Sequence, residues 1–317
     1  MRPRVVIAET LDDHCAAWLA QRAEVVRCEP GDADDLHTQL CTADALIVRT
    51  YTRVDADLLA AAPQLKVVAR AGVGLDNIDL DACKRRDVAV VYTPDANTQA
   101  VVEYVFALIF DALRPRRTLT TPVDAGAFRE LRKTCVGTQF DTLTLGIVGL
   151  GRIGKRVGQV AHALGVNLLV NDLLPEASLR KQATYPCDFV DKYALYAHSD
   201  IVTLHVDGRT DNRHMIDADA LSHFNPTGLL INTSRGFVID AAALTLWLSD
   251  HPDAQAVLDV HDPEPPSPAT LPLWNVPNAR LLPHLASRTH TAMRNMAWVV
   301  RDVVAVLEGA QPRYPAC

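Results

Sequence analysis

The chain has 317 residues, a formal net charge of −7 at pH 7, and 49% hydrophobic residues. Because this length exceeds what one hydrophobic core usually serves, we expect two domains. The acidic balance argues against a nucleic-acid partner and against binding to an anionic membrane surface. Every apolar run is too short for a spanning helix, and the run near the N-terminus is too short for a signal peptide.

Cysteine spacing indicates neither a disulfide framework nor a metal site. The seven cysteines are odd in number, lie scattered along the chain and form no C-x-x-C pair. This usage is typical of a reducing compartment. We therefore expect a cytoplasmic protein without a bound metal.

The first third of the chain alternates short apolar runs with amphipathic segments. This alternation is typical of a parallel sheet with crossover helices. The predicted strands are Arg4–Ala8, Ala45–Arg49, Lys66–Ala69 and Val88–Val91, and the predicted helices are Cys15–Arg22, Ala56–Ala62 and Leu80–Arg85. A longer apolar helix is predicted at Ala100–Leu113, capped by Asn97 or Thr98, and its apolar stripe is either core or a dimer face. The polar stretch 116–142 contains no predicted strand.

A strand, a glycine-rich turn, a helix, a second strand and an acid follow one another between Leu143 and Asp172. This order is the dinucleotide-binding fingerprint in its structural context. Gly149 permits the tight turn, Gly151 lets backbone amides reach a pyrophosphate, and Gly154 lets the helix pack close to the sheet. The first helical residues, Arg152 and Ile153, lie where free amides and the helix dipole favour phosphates.

The acid after the second strand predicts which dinucleotide is bound. Asp172 lies 21 residues after Gly151, where a carboxylate can accept hydrogen bonds from the ribose hydroxyls and repel a 2′-phosphate. The next residue is Leu173 rather than an arginine. The sequence therefore predicts NAD rather than NADP.

The strand-and-helix alternation resumes after Asp172. Predicted strands are Asp200–Leu204, Gly228–Ile231 and Ala254–Leu258, and predicted helices are Asp240–Leu248 and Thr289–Glu308. The proline-rich stretch His261–Pro283 predicts a long loop, a kind of segment that is often functional. The last helix lies beyond the nucleotide motif and could return to pack on the first domain.

Four further motifs stand out, and they carry a resemblance to a known family. They are RAGVGLDNID from Arg70, INTSRG from Ile231, LDVHDPEPP from Leu258 and LPHLAS from Leu282. Together with NTQAVVEYVFAL and GIVGLGRIG they make the chain resemble the D-2-hydroxyacid dehydrogenases, in the NAD-dependent branch that contains D-3-phosphoglycerate dehydrogenases. The resemblance runs in order from about Val5 to Leu307.

This resemblance implies an α/β protein of two Rossmann-like or flavodoxin-like domains with parallel sheets and an active site in the cleft between them. The expected boundaries are 1–97 with 288–317 for the substrate domain and 98–287 for the NAD domain. The resemblance also implies a homodimer that forms through the NAD domain.

The resemblance assigns roles to individual residues. The implied catalytic residues are Arg235, Glu264 and His284. The further implied cofactor contacts are His205, Thr233 and Asp259, the last to the nicotinamide carboxamide, and the backbone amides of Val73 and Gly74 would bind the substrate carboxylate.

The chemistry needs these residue types. A histidine titrates near neutral pH and can take the hydroxyl proton while the hydride goes to the cofactor, and a carboxylate can orient its ring. An arginine can hold a carboxylate and polarise a carbonyl oxygen. Alternative interpretations remain for each of these residues. His284 could be a core histidine, Arg235 could form a structural ion pair, and Asp262 could have the role assigned to Glu264.

Arginines at two strand ends bear on the substrate. Arg49 and Arg70 each end a predicted strand, Arg53 follows shortly, and phosphoglycerate dehydrogenases carry similar basic residues there. Guanidinium groups at these places suit a phosphate or a second carboxylate. The alternative is that they pair with acids such as Asp44 or Asp76.

The expected activity is interconversion of a D-2-hydroxy acid and its 2-oxo acid, with 3-phosphoglycerate as leading substrate. Alternatives are reduction of glyoxylate or hydroxypyruvate, oxidation of formate or phosphite, and an NAD-sensing, corepressor-like binding protein without catalysis.

Two features depart from the pattern of the family. The end at Cys317 leads us to expect no C-terminal regulatory domain, and Asp207 adds a carboxylate that is unusual for the family near the adenine side.

Overall fold

The computed structural model describes residues 2–29 and 31–316. The chain divides into two compact units, Met1–Asn97 with Ser287–Cys317, and Thr98–Ala286. The second predicted boundary, 287/288, lies one residue further along than the boundary in the structure. None of the helices in the described ranges combines the length and the apolar character needed to cross a membrane.

The elements, in chain order, alternate strand and helix in both units. Up to residue 97 they are β1 (Arg4–Ile7), α1 (Asp13–Ala20), β2 (Glu24–Arg27), α2 (Ala33–Leu40), β3 (Ala45–Val48), α3 (Ala56–Ala60), β4 (Val67–Arg70), α4 (Leu80–Arg85) and β5 (Ala89–Val91). From residue 98 to 204 they are α5 (Thr98–Leu113), α6 (Ala125–Thr134), β6 (Thr144–Val148), α7 (Arg152–Ala163), β7 (Asn167–Asn171), α8 (Glu176–Arg180), β8 (Asp188–Phe189), α9 (Lys192–His198) and β9 (Ile201–Leu204). The remainder are α10 (Ala218–Ser222), β10 (Leu229–Asn232), α11 (Ala241–Asp250), β11 (Gln255–Leu258), β12 (Ala279–Leu281), α12 (His290–Ala297) and α13 (Val300–Leu307).

The first unit contains a five-stranded parallel sheet in the order β2-β1-β3-β4-β5. Separate apolar cores cover its two faces, so its inner strands are buried on both sides and read as continuous apolar runs. Helix α13 contributes Val300 and Val303 to one of these cores. The sheet order reverses between β1 and β3, which is where ligands bind in open α/β sheets.

The second unit contains a seven-stranded parallel sheet in the order β12-β11-β10-β9-β6-β7-β8. Its central strand, β6, is buried on both faces by two apolar cores. The order reverses at β6, between β7 and β9. Two sheets of parallel strands confirm the predicted α/β class.

Several elements differ from the prediction. The interpretation of His261–Pro283 as a loop throughout is wrong, because β12 lies within it and pairs with β11. Strands β2 and β8 were not predicted, since each is a short edge strand without a continuous apolar run. Helix α6 lies in the polar stretch 116–142, is polar overall and buries no residue, so it lacks the strongly apolar stripe of a helix that packs on a core.

The predicted helix Thr289–Glu308 is two helices in the structure. At the break, Val299 donates to the carbonyl of Met296 and Asp302 donates to that of Val299, in three-residue steps instead of four. Trp298 has a ψ of 0°, which ends the α-helical geometry there. The turn buries Val299 completely within the first unit's core.

Candidate active site

The glycine-rich turn after β6 has the geometry that the sequence predicts. Gly149 has a φ of +91°, a conformation that other residues rarely adopt. A Cβ on Gly154 would lie 2.0 Å from the carbonyl oxygen of Gly149, so only glycine allows this helix-to-turn approach. A Cβ on Gly151, by contrast, would meet nothing within 4 Å.

The residues of this turn fit a dinucleotide. Helix α7 begins at Arg152 with Gly151 as its N-cap, and no side chain caps it, so its first amides remain available to a phosphate. The buried hydroxyl of Thr233, after β10, has no hydrogen-bond partner in the structure. An unpaired polar atom is costly in a protein interior, and a bound cofactor could supply its partner.

Asp172 directly follows β7 and holds the glycine-rich turn. Its Oδ2 accepts a hydrogen bond from the Leu150 amide at 2.6 Å, and its Oδ1 accepts from the Leu174 amide at 2.8 Å. A carboxylate has further lone pairs, so it can still accept from ribose hydroxyls. Its position beside the turn is the one that the NAD prediction requires.

His205 lies at the point where the sheet order reverses. Its amide donates to the carbonyl of Val148 at 2.8 Å, so it stands next to Gly149, and its Nε2 lies 3.0 Å from the Thr203 hydroxyl. Burial lowers the pKa of His205 to about 3. The ring is therefore neutral at physiological pH and unsuited to neutralise a phosphate.

Strand pairing brings the three predicted catalytic residues to one edge of the second sheet. Strands β10, β11 and β12 lie side by side, and Arg235, Glu264 and His284 follow them in that order. Carboxyl ends of parallel strands share one edge, which is where α/β proteins bind ligands. The Nδ1 atom of His284 lies 2.9 Å from Oε2 of Glu264.

Glu264 is the carboxylate that holds His284. Its Oε1 accepts from the His261 amide at 3.0 Å, while the alternative carboxylate, Asp262, pairs with Arg213 at 3.1 Å. Burial raises the pKa of Glu264, but the hydrogen bond and charge of His284 and the His261 amide outweigh it, and the pKa falls below its ordinary value. Glu264 is therefore ionised at neutral pH and can only accept.

His261 supports this arrangement. It is buried, and its Nε2 lies 2.7 Å from the carbonyl of Leu282, two residues before His284. A Cβ on Gly236, the residue after Arg235, would lie 2.0 Å from the His261 carbonyl carbon. The backbone around His261 is thus packed between the loops that carry Arg235 and His284.

Asp259 is fully buried and binds the loop that carries His284. Its two oxygens accept from the amides of Leu285 and Ala286, both at 2.8 Å. Burial raises the pKa of Asp259 more than these amides lower it. His284 has a φ of +56°, a costly conformation that these two hydrogen bonds help to hold. The contact between Asp259 and a carboxamide stays a prediction.

Arg235 sits in a turn that its neighbours stabilise. Asn232 donates to the Arg235 carbonyl at 2.8 Å and accepts from the Ser234 amide at 3.0 Å. The Arg235 guanidinium donates to the Ser234 carbonyl at 2.9 Å. The side chain is half-buried at the strand edge.

The predicted substrate-binding residues lie at the carboxyl edge of the first sheet. Arg49 follows β3, Arg70 ends β4, and the two strands pair directly. Among the described residues, no acceptor binds the amides of Val73 and Gly74. A Cβ on Gly72 would lie 1.9 Å from the Arg70 guanidinium, so this glycine makes room for the arginine.

The alternative partners of these arginines are partly settled. Asp44 pairs with Lys66 at 2.9 Å rather than with Arg49. Arg53 is largely exposed and pairs with Asp55 at 3.5 Å. The unusual Asp207 pairs with Arg209 at 2.8 Å, so its charge is compensated locally.

Glu9, which sequence reasoning missed, occupies the point where the first sheet reverses. It follows β1, and its carboxylate accepts from four consecutive amides, those of residues 49, 50, 51 and 52, at 2.9 to 3.2 Å. Burial raises the pKa of Glu9, but these four hydrogen bonds outweigh it and lower the pKa. We call this set of four hydrogen bonds the Glu9 clamp, and an acid directly after a first strand is its only signal in the sequence.

In the described residues, no group of three or more His, Cys, Asp or Glu could hold a metal ion.

Two glycine variants test the stability of the fold and the binding of NADH separately. We expect Gly154→Ala to destabilise the protein by about 1–3 kcal/mol, since its methyl group would overlap backbone. Gly151→Ala should unfold like the native protein in urea, yet its NADH dissociation constant should rise about tenfold or more, because the methyl group enters the phosphate region. Normal NADH affinity in Gly151→Ala, measured by fluorescence titration, would show that the turn does not bind the pyrophosphate.

The Glu9 clamp predicts a pH dependence of stability. Because its folded pKa lies below its ordinary value of 4.5, its contribution is complete above that value and is lost as pH falls through the folded pKa. Glu9→Gln should cost about 1–3 kcal/mol at pH 7, and the difference from the native protein should shrink toward about pH 3. Urea unfolding across this range tests it, with Glu24→Gln at an exposed ion pair as control. A difference independent of pH contradicts the clamp.

Comparisons with known proteins agree with this geometry. Residues 106–286 match the family model described as "D-isomer specific 2-hydroxyacid dehydrogenase, NAD binding domain". The chain is 37% identical over 305 residues to an (S)-sulfolactate dehydrogenase of Chromohalobacter salexigens, covering 95% of this chain and 96% of that protein. It is 31% identical over 312 residues to a D-3-phosphoglycerate dehydrogenase of Archaeoglobus fulgidus, covering 98% of this chain and 58% of that protein.

A solved structure covers the whole fold. The TT0316 protein of Thermus thermophilus superposes with a TM-score of 0.85 at 31% identity, over 99% of this chain and 100% of that one. The chain spans little more than half of the phosphoglycerate dehydrogenase it matches. On the family model and the identity to these relatives, the chain belongs to the D-isomer specific 2-hydroxyacid dehydrogenase family and contains its NAD-binding domain.

Proposed function

We propose that this protein is an NAD-dependent oxidoreductase that interconverts a D-2-hydroxy acid and its 2-oxo acid, with 3-phosphoglycerate as the leading substrate. The observation that carries the proposal is the contact between His284 and Glu264, 2.9 Å long, at the carboxyl edge of the sheet that holds the nucleotide turn. A coupled imidazole and carboxylate at that edge suit proton transfer to and from a hydroxyl group.

The ionised Glu264 determines which ring nitrogen of His284 exchanges a proton with the substrate. Since Glu264 only accepts, Nδ1 of His284 must carry the proton that lies between them. The neutral ring then has its lone pair on Nε2, which makes no hydrogen bond to the described residues. Nε2 is the base that takes the hydroxyl proton in oxidation and returns it in reduction.

The remaining residues hold the substrate and stabilise charge. NAD, when bound, accepts the hydride from C2 and, in its reduced form, supplies it. The Arg235 guanidinium binds the carboxylate and stabilises the oxygen on C2 as it gains negative charge. The unpaired amides of Val73 and Gly74 add donors for the carboxylate, and Arg49 and Arg70 bind a second acidic group.

Sulfolactate is the second candidate substrate. The match to the sulfolactate dehydrogenase of Chromohalobacter salexigens covers 96% of that protein, whereas the match to the phosphoglycerate dehydrogenase of Archaeoglobus fulgidus covers 58% of that one. Phosphoglycerate and sulfolactate share a 2-hydroxy acid with a strongly acidic oxyanion on the next carbon. The two arginines of the first unit are compatible with both.

A substrate panel tests the activity. We expect NADH formation with 3-phosphoglycerate or 3-sulfolactate and less NADH formation with D-glycerate. With glyoxylate, which is a 2-oxo acid, we expect only slow oxidation of NADH. His284→Ala should lower kcat by about 10²–10⁴ while NADH binding is unchanged, since the base acts only in the proton transfer. His37→Ala, at an exposed helix position, serves as control. Turnover by no member of the panel would favour an NAD-sensing binding protein.

The preference for NAD has its own test. We expect the native protein to bind NADH more tightly than NADPH, because the Asp172 carboxylate repels a 2′-phosphate. Asp172→Asn keeps an acceptor oxygen for the Leu150 amide but removes the charge. It should weaken NADH binding by about 10- to 100-fold and narrow the discrimination against NADPH. A native preference for NADPH would refute the argument from Asp172.

A further inference from the structure

One arginine of the first unit has no role in the site described so far. Arg288 lies in the turn just before α12, where the Thr289 amide donates to the Ser287 carbonyl at 3.0 Å and the Thr289 hydroxyl caps the helix at Ala292. The side chain is exposed, and the turn that carries it is held by these two hydrogen bonds. No sequence motif pointed to this position.

Arg288 and Arg49 are close enough to repel each other. Arg49 reaches the first turns of α12, where its guanidinium donates to the sulfur of Met293 at 3.2 Å. Burial lowers the pKa of Arg49, and the positive charge of Arg288 lowers it further, while Glu9 opposes both. Two cationic groups from separate parts of the chain therefore share one region of the first unit.

Among the described residues, Glu9 offsets only part of the positive charge of this pair. Neither Arg49 nor Arg288 lies within ion-pair distance of a carboxylate, whereas Arg294 of the same helix pairs with Asp12. The nearby Glu9 already accepts hydrogen bonds from four backbone amides. A thioether is a weak acceptor for a half-buried guanidinium.

Like charges that are only partly compensated destabilise a fold and are typical of sites that bind an opposite charge. Two guanidinium groups offer forked donors that match the oxygens of a tetrahedral oxyanion. An uncharged or purely apolar group would leave their repulsion in place. An anionic group such as a phosphate or a sulfonate would relieve it.

We propose that Arg288 is a specificity-determining residue which, together with Arg49, binds the terminal oxyanion of the substrate. This inference rests on the proposed function and narrows it to 2-hydroxy acids that carry a phosphate ester or a sulfonate. Arg288 takes the place in the cationic cluster that the sequence assigned to Arg53, whose charge is paired with Asp55.

The test compares substrates with and without the oxyanion. In Arg288→Ala we expect KM for 3-phosphoglycerate or 3-sulfolactate to rise about 10- to 100-fold, with KM for D-glycerate and D-lactate within about twofold of native. Arg288→Lys should recover part of the loss. Arg294→Ala, whose charge is already paired, should behave as the native protein. The substrate with the larger loss identifies phosphate or sulfonate as the bound group.

Equal losses for all four substrates, or no loss for any, overturn the role of Arg288. Calorimetry with inorganic phosphate and sulfate on the NADH-bound protein gives a readout that needs no turnover. The native protein should bind one of these ions more tightly than Arg288→Ala does. If the native protein oxidises no 2-hydroxy acid, the proposed function fails, while this binding difference still decides the assignment. Absent or equal binding overturns the inference.

Discussion

The loop that carries His284 depends on one fully buried carboxylate. Asp259 binds the amides of Leu285 and Ala286, and so joins the end of β11 to the end of β12. A buried charge without partners would be strongly destabilising, so the loop and the carboxylate stabilise each other. With the loop held, His284 keeps its positive φ and its ring stays beside Glu264. The proposed proton transfer follows from that geometry.

The two sheets differ in whether backbone amides are available to an anion at the point where the strand order reverses. In the second unit, the turn at Gly151 is open, and the first amides of α7 have no side-chain cap, which suits a phosphate from outside. In the first unit, the equivalent region is occupied by the protein's own carboxylate, because Glu9 accepts from four amides after β3. These four amides are therefore not available to an external anion, and Arg49 and Arg70 are the cationic groups at the carboxyl ends of β3 and β4.

Much of the fold could be predicted from the sequence, and the errors have physical causes. Buried parallel strands are apolar throughout, so the central strands of both sheets were predicted to within a residue or two. Edge strands β2, β8 and β12 lack that pattern, and β12 lies among prolines, so local sequence favours a loop. Helix α6 is polar overall and buries none of its residues, so no apolar run indicated it. The break at Trp298 arises because the helix must turn to bury Val299, which is a packing requirement that periodicity does not contain.

The sequence by itself determined the α/β class, the family and the nucleotide turn, because these depend on local spacing: glycines at fixed intervals after an apolar strand, then an acid. It also named Arg235, Glu264 and His284 through the motifs that hold them. Only the tertiary structure decided that Glu264 rather than Asp262 faces His284, since both carboxylates lie in one short loop and their partners come from other strands. The same holds for Glu9 and Arg288, whose partners are about 40 and 240 residues away in the chain. Hydrogen bonds and charge repulsion depend on distance in space, so the spacing of residues along the chain does not predict them.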